Sequence, residues 1–284
     1  MVRDLLPLLD ADILAHELAF SGQFFDDETK EVVILPFYIV IDRLEGRVQD
    51  IMESLKTRLE PIMYLSGKGN FREQIAKRKG YKANRDATNK PFHLENTRAY
   101  ITARFNTYTS QGCEADDLLC ISQMDALRSC DGTHETATTV ICTRDKDLRQ
   151  CEGWHYGWEV HNQPEFKLQW VDKIGSLTPT LSNKILKSGE PSKALKKLTG
   201  TGMKWFYAQL LTGDVVDNIP GLKGFGISKS YELLNDLDNE LDMLDVCIDS
   251  YKKVYGEYWK PEMMEQAYLV WMVRERNTDG SIKM

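Results

Sequence analysis

Apolar residues in the first half of the chain fall into short blocks that alternate between strand-like runs and helical spacing. Leu5 to Leu9 is an unbroken apolar run that stops at Asp10, as expected of a buried strand, and a helix is predicted from about Asp12 to Phe20. Ile41, Leu44, Val48, Ile51, Leu55 and Leu59 recur at helical spacing, which predicts a helix over Tyr38 to Leu59. Ile62 to Leu65 reads as a second short strand, halted by Ser66-Gly67-Lys68-Gly69. A basic segment and Pro91 follow, then a predicted helix from Leu94 to about Tyr108. Ala115 to Leu127 reads as a helix begun through Glu114, and Thr138 to Cys142 as a strand running into Thr143-Arg144-Asp145. Strands alternating with helices, with polar residues at the strand ends, predict an α/β fold whose mostly parallel central sheet is wrapped by helices. From about Met203 onward glycine-rich turns and helices take over, closing with an apolar-rich helix near Glu262 to Arg274. The expected division is an α/β core over residues 1–175 and a C-terminal helical region over 176–284, with no internal repeat and no long linker.

Composition narrows the class. The 284 residues are 42% hydrophobic and 28% charged, which is globular and ample for a core. The longest apolar run, Val32 to Ile41, is broken by Pro36 and too short to span a bilayer, and the first residues lack a signal-peptide pattern. Six cysteines (113, 120, 130, 142, 151, 247) form no C-x-x-C pair, which argues against structural zinc and against a disulfide framework. A soluble, reducing, cytoplasmic setting without a membrane is therefore expected. The net charge of −7 points away from nucleic acid until it is resolved along the chain. Residues 68–90 carry eight Lys or Arg against Glu73 and Asp86. Residues 184–204 carry Lys184, Lys187, Lys193, Lys196, Lys197 and Lys204 against Glu190. A polyanion responds to local potential, so DNA or RNA remains open, while solvated helix faces explain the lysines equally well.

The acidic residues carry the chemistry. They group as Asp10 with Asp12, Glu114 with Asp116 and Asp117, Asp145 with Asp147, and Asp214 with Asp217. The first and third groups follow strands, and in parallel sheets ligands gather beyond the carboxyl ends of strands. Clustered carboxylates repel and raise one another's pKa unless a cation holds them. An all-oxygen donor set without Cys or His favours Mg²⁺ or Mn²⁺. One such pair alone would more often be a helix cap or a solvated surface, but four groups together predict a metal site. Acidic metal sites beside basic patches fit phosphodiester hydrolysis, where two ions stabilise the attacking and leaving oxygens. The five histidines show no metal-binding spacing. A glycine-rich turn, Gly221-Leu222-Lys223-Gly224-Phe225-Gly226-Ile227-Ser228-Lys229, opens an amphipathic helix and so offers backbone N–H groups to a phosphate. It is neither a dinucleotide fingerprint nor a P-loop.

Taken in order, these motifs resemble a family. Gly213-Asp214-x-x-Asp217-Asn218-Ile219-Pro220-Gly221 followed by Gly224-x-Gly226 resembles the helix-three-turn-helix of the 5′-nuclease superfamily, which includes flap endonucleases. Glu114-Ala115-Asp116-Asp117 and Thr143-Arg144-Asp145-Lys146-Asp147 are similar to its other acidic motifs, and Asp10-Ala11-Asp12 to its N-terminal strand-end aspartate. Tyr81-Lys82-Ala83-Asn84-Arg85 resembles the basic motif that begins the arch over the active site. The wording is most similar to the 5′→3′ exonucleases of short-tailed, T-odd type bacteriophages. The resemblance covers about residues 5–275, with an arch over about 68–110 and a helix-three-turn-helix over about 203–235.

The resemblance implies a PIN-like nuclease core and a division of labour. Asp10, Glu114, Asp116 and Asp117 would hold one ion, and Asp145, Asp147, Asp214 and Asp217 a second. Lys82 and Arg85 would lie near the scissile phosphate, and Arg72, Lys77 and Arg78 would grip the 5′ end. Tyr81 would either stack on a terminal base or belong to the core. Gly221, Lys223, Gly224, Gly226, Ser228 and Lys229 would clamp duplex DNA, helped by K⁺. The implied activity is 5′→3′ hydrolysis of DNA at a free end, nick, gap or flap, extending to RNA–DNA hybrids. The implied role is phage DNA replication, primer removal or recombination, carried out by a monomer in the host cytoplasm. Alternatives are a structure-specific flap endonuclease and a non-catalytic DNA-binding member. The last draws on one departure. The family's aspartate after the second strand falls here on Ser66 or Gly67, leaving Asp12 or water to take its place.

Overall fold

The computed structural model of the protein describes residues 4–85, 90–161, 163–183 and 194–283. The chain begins with β1 (Leu6–Asp10) and α1 (Ala11–Ser21), then a hairpin of β2 (Gln23–Asp26) and β3 (Glu31–Ile34), α2 (Phe37–Leu55) and β4 (Ile62–Leu65). A short α3 (Phe71–Ile75), α4 (Leu94–Arg104), β5 (Asn106–Thr109), α5 (Ala115–Arg128) and β6 (Thr139–Cys142) follow. After a single 3-10 turn come β7 (Gly153–Gly157), β8 (Phe166–Val171), β9 (Leu177–Leu181) and β10 (Leu195–Gly200). The chain then becomes helical through α6 (Gly202–Thr212), α7 (Ile227–Leu234), α8 (Glu240–Tyr255) and α9 (Trp259–Val270).

Six strands form the central sheet in the order β5-β4-β1-β6-β7-β8, parallel except for β8 at the edge. The chain leaves β1 towards β4 and β5 and returns to its other side at β6. The β1/β6 boundary is therefore the topological switch point, where a crevice opens beyond the strand ends. Side chains alternate across the sheet. Leu9, Met63, Leu65, Val140 and Cys142 join the core beneath α1, α2 and α4, while Leu8, Tyr64 and Ile141 pack with Ala115 and Leu119 of α5. Covering both faces makes the inner strands β1, β4 and β6 continuous apolar runs, which is why those runs are readable. The C-terminal helices build a separate core around Trp205, Phe206, Leu211, Leu222, Phe225 and Tyr251, against which Ile75 and Tyr81 pack. Among the described residues no helix is long and apolar enough to cross a membrane.

Four expectations change. The helix expected to reach Leu59 ends at Leu55, because Lys56 turns left-handed with φ 53°. The helix expected to reach Tyr108 ends at Arg104, and 106–109 pair with β4 as an edge strand. Cys120 and Cys151 are joined by a disulfide, against the expectation of reduced thiols. Their Cα atoms lie 6.0 Å apart although 31 residues separate them, a proximity that spacing does not reveal. The second basic patch loses Lys204. Lys184, Lys187 and Lys193 lie outside the described residues, as do Asp86 and Glu190, while Lys196 and Lys197 are exposed on β10. Lys204 is buried in α6, where its Nζ donates to the Asn235 carbonyl at 2.7 Å.

Candidate metal and nucleic-acid site

The site is assembled where the parallel strands end. Asp10 closes β1, almost fully buried, and caps α1 by accepting the Ile13 N–H at 3.1 Å. Its second oxygen accepts the Thr143 hydroxyl at 2.7 Å, which spans the switch point. Thr143 in turn accepts the Asp145 N–H at 2.9 Å, and Asp145 accepts the Asp147 N–H at 2.7 Å. These local turns explain why Thr-x-Asp-x-Asp follows β6: each short polar side chain folds back on the backbone two residues on. Beyond β4, Ser66 Oγ accepts the Ala115 N–H at 2.9 Å, tying the start of α5, with Glu114 and Asp116, to that strand end. Gly67 is bare by necessity, since a Cβ there would sit 2.0 Å from the Ser110 carbonyl oxygen. Ser66 is thus the strand-end position with room for a side chain.

Asp10, Glu114, Asp116 and Asp145 line a cleft of about 760 Å³ together with Lys82, Arg85, Arg98 and Arg144. Glu114, Asp116 and Asp145 also line a pocket of about 10 Å³, whose other walls include Tyr81, Asp147, Asp214 and Asp217. The four sequence groupings therefore converge, with Glu114, Asp116 and Asp145 common to both spaces.

Their electrostatics divide them. Burial, with repulsion from Asp12 and Asp145, pushes the Asp10 carboxyl up to about 7. Burial beside Asp145 pushes Asp147 to about 7 as well. Asp116 is held well above the usual carboxylate range by burial and by Asp10 and Asp145, and Asp145 is raised by burial and by Asp217. Burial alone would raise Glu114 too, but Lys82 and Arg72 hold it below its ordinary value. Asp217 pairs with Arg85 at 2.6 Å, and Asp214 with Lys146 at 2.5 Å. Asp117 is fully buried, with its two oxygens 2.7 and 2.8 Å from the Arg72 guanidinium.

Among the described residues no three acidic, imidazole or thiol groups already converge tightly enough to hold an ion. Lys82 and Lys146 stand among them instead, bonded to Glu114 and Asp214. The donor set nevertheless suits a hard divalent cation. It is all oxygen, and the buried Asp10 and half-buried Asp116, Asp145 and Asp147 are acids whose mutual repulsion a bound cation would relieve.

The basic segment docks beside these acids, although its members separate. Arg72 faces inward, donating to Asp117 and to the carbonyls of Leu269 and Trp271, so its guanidinium is away from solvent. Arg78 reaches the Gly221 carbonyl at 3.5 Å and pairs with Glu262 at 3.4 Å, while the Lys77 side chain is exposed. The Tyr81 hydroxyl donates to Glu114 at 2.7 Å and approaches Asp217 at 3.0 Å, placing it within the acid cluster. Lys82 holds φ 53°, and its N–H donates to the Asp217 carbonyl at 3.0 Å. Asn218, at φ 61°, donates through Nδ2 to the Gly80 carbonyl at 2.8 Å. Two left-handed residues, each costly outside glycine, thus lock residues 80–82 onto the loop carrying Asp214 and Asp217.

In the glycine-rich turn, Gly224 and Gly226 face open space, and Lys223 and Lys229 are exposed beside them. Gly221 is buried, with its N–H donating to Gln266 at 2.9 Å, and Ser228 Oγ accepts the Leu195 N–H at 3.4 Å. Sequence reasoning missed Arg98, which bonds Asp12, and Gln209, which donates to Asp147 at 2.6 Å. Lys146 was visible inside its motif, between two acids, and only its target was not.

No family model matches the chain, and no curated protein matches it. Among solved structures it is similar to the T5 D15 protein co-crystallised with metal ions, at 15% identity and TM-score 0.48, over 93% of this chain and 98% of that one. It is similar to the bacteriophage T5 D15 flap endonuclease in a pseudo-enzyme–product complex with DNA and metal ions, at 14% identity and TM-score 0.48, again over 93% and 98%. The catalytic core of Rad2 in complex with DNA substrate is a third such structure, at 14% identity and TM-score 0.44, over 96% of this chain and 76% of that one.

Proposed function

We propose that the protein is a divalent-metal-dependent 5′→3′ exonuclease that hydrolyses phosphodiester bonds from the 5′ ends of duplex DNA. The observation that carries this reading is one cleft at the sheet's switch point in which Asp10, Asp116 and Asp145, carboxylates without an ion pair among the described residues, lie beside Lys82 and Arg85. Asp10, Glu114 and Asp116 would hold one ion on the cleft side, and Asp147, Asp214 and Asp217 a second on the pocket side, with Asp145 between them. Ions so held supply a nucleophilic water at neutral pH and stabilise the leaving oxygen. Lys82 and Arg85 orient the phosphate and offset its growing negative charge. Tyr81, bonded to both Glu114 and Asp217, keeps those two carboxylates at a fixed separation. The open backbone at Gly224 and Gly226, flanked by Lys223 and Lys229, grips duplex phosphates without reading sequence, with K⁺ assisting at that turn. Lys77 adds a contact to the 5′ end.

The chain then acts as a monomer on free ends, nicks, gaps and flaps, and on the RNA strand of hybrids, during phage DNA replication in the host cytoplasm. Ser66 at the β4 end favours a second reading, a DNA-binding member that does not cut. A time course on a 5′-labelled duplex and a matched 5′-flap substrate, in Mg²⁺, Mn²⁺ or EDTA, tests all of this. Metal-dependent release of mononucleotides or very short products from the duplex is the expected result. Release of the intact flap arm would reassign the protein as a flap endonuclease. Binding without cleavage in either metal would leave the non-catalytic reading.

A further inference from the structure

Arg98 belongs to none of the motifs above, yet it lines the cleft beside Asp12, Ser66 and Lys82. Its Nη1 donates to Asp12 Oδ1 and its Nη2 to the Ser66 carbonyl. The other Asp12 oxygen accepts the Ser66 N–H at 2.8 Å. Asp12 and Ser66 therefore close a ring around the guanidinium and fix it at the end of β4. The neighbouring strand ends carry Asp10 after β1 and Arg144 with Asp145 after β6, so Arg98 supplies the cation on the β4 side of the cleft. This arrangement also ties both Asp12 oxygens to the β4 end.

What remains of Arg98 is suited to an anion. A guanidinium has five N–H donors, and these contacts use one on each Nη. The side chain is 26% exposed, so the remaining donors have a route to the cleft. It is also already ordered, so a ligand need not immobilise it. Planar forked donors match the oxygens of a phosphate better than a point charge does. We propose that Arg98 is a phosphate-binding residue of the cleft. Held by Asp12 and Ser66, it donates to a non-bridging oxygen of the substrate backbone on the β4 side of the acid cluster. The proposal rests on the nuclease reading and adds a substrate contact that none of the motifs contains.

The test is duplex binding by the protein in Ca²⁺, followed by fluorescence anisotropy over a salt series. Wild type, Arg98→Gln, Arg98→Lys and Asp12→Asn are compared on 5′-phosphorylated and 5′-hydroxyl duplexes. Arg98→Gln should raise Kd about tenfold and reduce the slope of log Kd against log salt by about one counterion. Arg98→Lys should keep the slope but not the full affinity, because it keeps the charge and loses the fork. Asp12→Asn should also keep the slope. A role confined to packing would move the melting temperature and leave the slope alone. A loss seen only with 5′-phosphorylated duplex assigns the contact to the terminal phosphate, and an equal loss on both assigns it to an internal one. Wild-type affinity and slope in Arg98→Gln would overturn the proposal while leaving the nuclease reading in place. Should Arg98→Gln fail to fold, wild-type affinity in Arg98→Lys overturns it instead. Absence of salt-sensitive DNA binding by wild type would remove the nuclease reading first, and the proposal with it.

Discussion

Asp117 and Asp145 are aspartates of the same cluster with opposite surroundings. Asp117 receives Arg72 on both oxygens and the N–H groups of Glu114 and Val273 at 3.1 and 3.2 Å. Asp145 sits between Asp10, Asp116, Asp147 and Asp217, and among the described residues no Lys or Arg forms an ion pair with it. Asp10 and Asp116 share its situation. Asp117, with both oxygens taken by one buried guanidinium, is structural, whereas Asp10, Asp116 and Asp145 meet mainly other carboxylates and are open to a metal; Glu114, Asp214 and Asp217, each with a cation partner, stand between the two. Residue type and spacing are the same in both cases, so the difference lies in what α3, α4 and residues 80–82 carry to each acid.

The sharpest way to break this division is to remove one charge from each side. Asp145→Asn should reduce single-turnover cleavage by about a thousandfold or more, because an ion ligand contributes several kcal/mol of charge stabilisation. Duplex binding should change little. Asp117→Ala should act on stability instead, since it strands the buried Arg72 charge, at a cost of about 3–5 kcal/mol. For a chain of this size that is a fall of roughly 10 °C in melting temperature. If Asp145→Asn lost as much thermal stability as Asp117→Ala while keeping its activity, the two sets would be one.

The raised carboxyls also make a prediction about pH. Asp10 and Asp147 have carboxyls near 7 in the folded chain, against 3.8 for an ordinary aspartate. Between those values the unfolded chain gives up protons that the folded chain keeps, so rising pH favours unfolding. Metal-free protein should therefore lose melting temperature from about pH 4 to about pH 7 and then level off, and Mg²⁺ at pH 8 should restore it. Asp147→Asn in EDTA at pH 8 should gain about 5 °C, and it should lose that advantage when Mg²⁺ is added. A melting temperature that climbs from pH 5 to pH 8 without metal would contradict the repulsion inferred here.

Much of this site was legible because strand ends are marked in sequence. An apolar run stopping at Asp10, and another at Thr143-Arg144-Asp145, fixes where polar groups meet above a parallel sheet. Repeated helical spacing likewise located α1, α2 and α5 closely. Three features were hidden for definite reasons. The strand β5 follows a helix after a single residue, Phe105, and its Asn-Thr-Tyr-Thr has no apolar run to announce it. The destinations of Arg72 and Arg98 depend on contacts 45 and 86 residues away, which local spacing does not encode. The inward-facing Lys204 has the same explanation: its partner, the Asn235 carbonyl, lies in a different helical segment.

The smallest expected effect sharpens the comparison most, because it moves one residue from between the two sets towards one of them. Lys82 pairs with Glu114 and lies 3.7 Å from Asp217. With Lys82 gone, burial acts on Glu114 with less opposition, and its carboxyl should rise towards those of Asp10 and Asp116. Lys82→Ala keeps a non-glycine residue at φ 53°, so the backbone strain is not relieved and the change isolates the charge. Turnover at saturating Mg²⁺ should fall about tenfold, with duplex Kd changed by less than about threefold, since the lysine serves the reacting phosphate rather than the grip. Mg²⁺ titration should show the opposite sign, a tighter apparent affinity, because Glu114 then keeps only Arg72, at 3.4 Å, as a counterion. Equal losses in turnover and DNA binding, with Mg²⁺ affinity unchanged, would make Lys82 an ordinary phosphate contact and leave Glu114 where it is.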